Sequence, residues 1–168
     1  MRTFIKHSIN IALTMIILFS CTNNINHYDN KFAKEISEKH IGKTKFFISL
    51  PKNYSLKETK GPDFIVYYFQ SIDSTDTKSF YGGLYFGNQP SLFPPQNDSC
   101  VIQNMKSKIL HFEKEWTCFV CDNIYAIQTL IENKDDNRWG QYIHAFGSCK
   151  SKTDLDKLLL IFETLKVK

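Results

Sequence analysis

The sequence predicts an α+β fold: a single antiparallel β-sheet with an N-terminal and a C-terminal helix packed on it. Three observations predict this. Between Lys43 and Gly147 the apolar residues recur with period two in short runs bounded by turn residues. Successive runs are joined by short connections, which suit antiparallel pairing rather than parallel crossovers. At both ends the period becomes helical, over Lys31–His40 and again after Ser151.

Taken in order, Lys31–His40 reads as a short helix with Phe32, Ala33 and Ile36 on one face and Gly42 as its stop. Thr44–Leu50 is a strand closed by Pro51, and Tyr54–Lys57 is a short one. Asp63–Ser71 is apolar on both faces, with Phe64, Val66 and Tyr68 on one and Ile65, Tyr67 and Phe69 on the other. Such a strand is central and covered on both sides. After the polar turn Ser71–Lys78, Ser79–Gly87 is a strand whose Gly82-Gly83 pair predicts a bulge or a close approach.

Asn88–Cys100 is a long loop with three prolines. A loop of that length is either functional or an organised cover. Its apolar Leu92 and Phe93 are therefore the candidate binding residues, the alternative being a lid folded inward onto the sheet. Val101–Glu113 is strand-like but also admits a helix. Trp116–Cys121, Ile124–Glu132 and Trp139–Gly147 are strands, the last two separated by the charged turn Asn133–Arg138.

Asp122-Asn123 as a two-residue hairpin turn pairs residue i with residue 245 − i. Trp116, Cys118 and Val120 then share a face with Tyr125, Ile127 and Thr129. Glu115, Thr117, Phe119 and Cys121 lie on the other with Ile124, Ala126, Gln128 and Leu130. The first face is coherently apolar, which supports this register. The final helix starts at Ser151 or Thr153, with Asp154 and Asp156 in the first turn. Leu155, Leu158, Leu159, Phe162 and Leu165 form its apolar stripe.

Four cysteines fall within the strand region: Cys100, Cys118, Cys121 and Cys149. In an exported domain they support one or two disulfides, in any of three complete pairings. Cys118 with Cys121 is the least favourable pairing, because a separation of three on a strand points side chains to opposite faces. The same geometry weakens a redox Cys-x2-Cys pair, which belongs at a helix start. It also weakens a metal set of Cys118, Cys121, His144 and Cys149. No metal or other cofactor is expected. The glycine, serine and histidine motifs of nucleotide binding, acyl transfer and zinc hydrolysis are absent.

The N-terminus carries export information. Arg2 and Lys6 precede an eleven-residue apolar run, Ile9–Phe19, interrupted by Asn10 and Thr14. Leu18, Ser20 and Cys21 follow the pattern of a bacterial lipoprotein signal, which this segment resembles. The resemblance implies cleavage after Ser20 and a lipid-bearing Cys21. The run is short for a spanning helix, which wants about 20 apolar residues. An uncleaved anchor and ordinary secretion are the alternatives. The reading divides the chain into a signal peptide (1–20), a flexible, Asn-rich tether (21–30) and one α+β domain (31–168). Of 21 basic residues, Arg2 and Lys6 leave with the signal; the remaining 19 against 17 acidic residues make the mature charge +2. Interspersed charge of that size does not point to nucleic acid.

Ile48-Ser49-Leu50-Pro51 and Leu160-Ile161-Phe162-Glu163-Thr164-Leu165, together with the signal, resemble small lipoproteins of the Bacteroidetes type. A strand ending in Leu-Pro and a closing helix before Thr-Leu-Lys are also similar to the PsbP-like α/β sandwiches. Those resemblances imply binding or assembly more than catalysis. The expected function is a non-enzymatic envelope lipoprotein that binds a protein or envelope component. The alternatives are a lipid-anchored immunity or inhibitor protein and, further off, an envelope thiol-redox or metal-binding protein. The membrane, through the lipid, and an envelope partner are the expected contacts. No acidic tract follows Cys21, which favours the outer membrane with the domain facing the periplasm.

Overall fold

The computed structural model describes residues 31–72, 80–133 and 141–168. Cys21, the signal and the tether lie outside these residues, as do most of the two polar turns at 71–78 and 133–138. The described chain is mostly β and corrects the expected architecture. Instead of one sheet with a helix at each end, ten strands form two antiparallel sheets, and one long helix packs with them.

The small sheet has the order β1-β2-β10, from Ile36–His40, Phe46–Pro51 and Lys166–Val167. The large sheet contains β3 (Tyr54–Lys60), β4 (Phe64–Ser71), β5 (Phe80–Gly87) and β6 (Val101–Ile109). It continues with β7 (Phe112–Cys121), β8 (Ile124–Glu132) and β9 (Tyr142–Cys149), and its order is β3-β4-β5-β9-β8-β7-β6.

The expected N-terminal helix is reduced to residues 31–35 (α1), and the rest of that segment is strand β1. Over so few residues an apolar pair such as Phe32 and Ile36 fits either period. A helix of that length is marginal by itself. Pairing with β2, from Ile36↔Pro51 to His40↔Phe47, supplies backbone partners instead. Glu38 of β1 reaches across β2 to the ammonium groups of Lys166 and Lys168, and those bonds hold its carboxyl below the usual range.

Val101–Glu113 is neither a single strand nor a helix. The chain reverses at Leu110-His111, both in the left-handed region with φ of 52° and 67°, and β6 pairs back along β7. The hairpin at Asp122-Asn123 has the expected register, from Thr117↔Gln128 to Cys121↔Ile124. Gly82-Gly83 makes no bulge, because β5 pairs continuously with β4 and β9. It is a close approach: a Cβ at Gly83 would meet the Phe146 ring at 2.8 Å.

The central strands of the large sheet carry apolar residues on both faces. Its inner face carries Tyr67, Phe69, Leu84, Ile143 and Trp116, all buried against the small sheet and helix α2 (Lys152–Glu163). Phe162 of α2 packs between Trp116 and Phe69, with ring centroids 5.0 and 5.5 Å away. Each such buried side chain contributes about 1.5–3 kcal/mol relative to exposure. Ser151, not Thr153, caps α2: its hydroxyl oxygen accepts the Asp154 N–H at 3.1 Å. At the other end, the Thr164 hydroxyl accepts the Ser49 N–H at 2.8 Å and so fastens the helix to β2.

Candidate functional site

The outer face of the large sheet lies opposite α2. Strand parity places Phe64, Val66 and Tyr68 of β4 there, with Tyr81 and Tyr85 of β5. His144 and Phe146 of β9 and Ala126 and Gln128 of β8 join them. The registers align these in rows: Val66 beside Tyr85 beside His144, and Tyr68 beside Gly83 beside Phe146 beside Gln128. Tyr68 stacks on Tyr81, and Phe64 on Tyr85, at 5.8 and 5.6 Å. Burial raises the Tyr81 hydroxyl above its ordinary range, with Tyr68 adding to it.

The loop between β5 and β6 crosses this face and is held to it near its middle by Gln128. The Gln128 Oε1 accepts the Phe93 N–H at 2.8 Å, and the Gln128 Nε2 donates to the Phe93 carbonyl at 2.9 Å. Phe93 meets Phe146 edge-on at 5.3 Å and lies 5.1 Å from His144. Since Phe93 orients the Gln128 amide, its Oε1 is also what faces His144 Nε2, at 3.1 Å. An oxygen there requires a donor, so Nε2 carries the proton of a neutral imidazole. Burial, at 2% exposure, lowers the His144 pKa to about 4 and keeps the ring uncharged at neutral pH.

Phe93 divides the face into two cavities. The first, of about 370 Å³, is bordered by Val66, Tyr68 and Tyr85 from the sheet, Gln89 and Ser91 from the loop, and Asp63 from the β3–β4 turn. The second, of about 380 Å³, has small Ala126 and Ser148 among its lining residues, together with Tyr81, Phe119 and the loop residues Pro94 and Gln96. Both combine aromatic walls with a few polar groups, the usual composition of ligand sites.

Family models, curated proteins and solved structures were compared with the chain, and none matches it.

The candidate loop residues divide between their two expected fates. Phe93 turns inward and anchors the loop, although half of it remains exposed; Leu92 points to solvent and is 57% exposed. Among the described cysteines, Cys100 pairs with Cys121, joining the end of the loop to the end of β7. The other pair of sulfurs, Cys118 and Cys149, are buried free thiols on the inner face. Strand β8 lies between their strands, so about two strand spacings of 4.8 Å separate them, beyond disulfide reach. Burial pushes the Cys149 thiol up to about 11 and also raises Cys118. Thiols so placed are poor nucleophiles.

The metal set drawn from the sequence does not converge. Cys118 and Cys149 face inward, His144 faces outward, and Cys121 is oxidised. Sequence reasoning found the loop and placed Gln128 on the correct face. It missed the grip of Gln128 on Phe93 and the role of His144. The available signal was a buried-strand pattern interrupted by polar Gln128 and His144 at positions of the same parity.

Proposed function

We propose that this protein is a non-enzymatic, lipid-anchored component of the bacterial cell envelope that binds a protein or envelope component on the outer face of its large sheet. The lipid is carried by Cys21, and the domain faces the periplasm from the outer membrane. One observation supports the binding reading above the others: the Gln128–Phe93 clamp holds a proline-rich loop across an aromatic face and leaves a cavity on each side. Tyr and Phe supply large contact area at low entropic cost, as binding surfaces require. The buried thiols and neutral, amide-bound His144 supply no nucleophile–base pair.

The test is a crosslinked pull-down of the lipidated protein from its own envelope, compared with Phe93→Ala and Tyr81→Ala. The expected result is a defined partner retained by the natural chain and lost with both variants. A partner that both variants retain with full recovery would remove the outer face from the proposal. For the anchor, Cys21→Ser is expected to abolish palmitate incorporation; labelling that persists would refute it.

A further inference from the structure

The first cavity has an unusual balance of charge. Its floor is Val66, 6% exposed, which register places directly beside Tyr85. Phe64 and Tyr68 flank Val66 along β4, two residues to either side, and Phe93 and Phe146 border the cavity from the loop and β9. Five aromatic rings therefore surround one space. Among the described residues, no lysine or arginine lines it. His144, the one basic side chain of the lining, is neutral and bonded through Nε2 to Gln128. The Tyr85 oxygen accepts the Gln89 N–H at 3.3 Å, which ties the loop entrance to the same ring. The carboxylate of Asp63, half-buried in the turn before β4, is the single formal charge of the lining.

Aromatic faces carry negative quadrupoles and attract cations, most strongly where water is excluded. A carboxylate beside them adds to the same preference. An anion would meet repulsion from both. A wholly apolar occupant would strip water from Asp63 with nothing in return. A neutral sugar would stack on the rings but draw little from the charge. We propose, resting on the binding reading above, that this cavity receives an alkylammonium group, with Asp63 as counter-ion and Phe64, Tyr68 and Tyr85 as its aromatic enclosure. Both a quaternary trimethylammonium head and a protonated lysine side chain present that chemistry. The volume, about 370 Å³, stands at the small end of ligand sites and suits one such head with its first methylenes.

The experiment titrates the full chain in detergent with three probes, following Tyr ring resonances and heats of binding. They are choline, Nα-acetyl-lysine methylamide, and 3,3-dimethylbutanol, the uncharged carbon isostere of choline. Saturable binding of choline or the lysine analogue is expected, at least about tenfold tighter than the isostere. Whichever cation binds more tightly identifies the source, lipid-type head or protein side chain. Asp63→Asn, which keeps the side chain's shape, is expected to weaken the cation about tenfold and leave the isostere unchanged. Tyr85→Leu is expected to weaken the cation more than the isostere. Equal binding of choline and isostere, an unaltered affinity in Asp63→Asn, or no saturable shift with either cation would overturn the inference. The outcomes separate from those of the parent reading: a partner lost with Phe93→Ala while no cation binds would sink this inference and leave the proposed function standing. Unchanged thermal unfolding of Asp63→Asn is the control for folding.

Discussion

Gln128 holds the backbone N–H and the carbonyl of Phe93 with the two ends of its amide, at 2.8 and 2.9 Å, across 35 residues of sequence. Nothing else described in the loop is bonded to the sheet by such a matched pair. Gln128→Ala is expected to release the loop, destabilise the domain by about 1–3 kcal/mol, and open residues 88–100 to proteolysis. Urea unfolding and limited digestion measure the two effects. Gln128→Ala with natural protease resistance would show that the loop is held by other means.

His144 makes stability depend on pH. Its pKa is about 4 in the fold and 6.5 in the unfolded chain. Between those values the unfolded chain binds the proton and the folded chain does not. Stability therefore falls as pH drops from 6.5 toward 4, by up to about 3 kcal/mol, and this contribution levels off below 4. Subtracting the pH profile of His144→Phe isolates it from the carboxylates. A natural and a variant profile that run parallel over this window would contradict the prediction.

At Leu110-His111 two side chains occupy the left-handed region that a two-residue hairpin turn demands. That region costs a non-glycine residue about 1–2 kcal/mol. His111 is exposed, whereas Leu110 packs on the core. His111→Gly is thus expected to raise stability by about 1 kcal/mol, read as a higher unfolding midpoint.

Gly147 lies under helix α2. A Cβ there would be 2.6 Å from Leu158 Cδ2 and 2.8 Å from the Tyr81 carbonyl oxygen. The leucine can turn aside; the backbone oxygen cannot. Gly147→Ala is expected to cost about 1–3 kcal/mol, measured by calorimetry.

The cysteines offer a direct count. In Cys21→Ser, iodoacetamide is expected to leave the native protein unlabelled and to add two groups after denaturation, at Cys118 and Cys149. Opening the Cys100–Cys121 bond, whose residues are 21 apart, by Cys100→Ser with Cys121→Ser is expected to cost about 3 kcal/mol by chain entropy. Four labelled thiols without reductant would disprove the pairing.

What could be seen in advance follows from how local each signal is. The β7–β8 register was legible because alternation on both sides of Asp122-Asn123 reports one shared face. The β6–β7 turn was not, since Leu110-His111 contains none of the residues that usually mark a reversal. Ile36–His40 became a strand through hydrogen bonds to β2, which no local period records. That change, with β10, turned one expected sheet into two. The site divides the same way. Phe93 announced itself as an apolar residue in a long loop, but its anchors, Gln128 and His144, come from strands far along the chain.

Strand β2 acquires one neighbour from β1, just before it, and the other only from Lys166 and Val167, which pair with Phe47 and Phe46. Lys168 then donates its N–H to the Lys45 carbonyl. The small sheet is consequently finished by residues that lie far along the chain from β1 and β2. Until Lys166 and Val167 have docked, β2 keeps one edge open. Closure of the small sheet therefore waits on a contact between segments far apart in the chain, the kind that forms most slowly because the intervening loop must be ordered first.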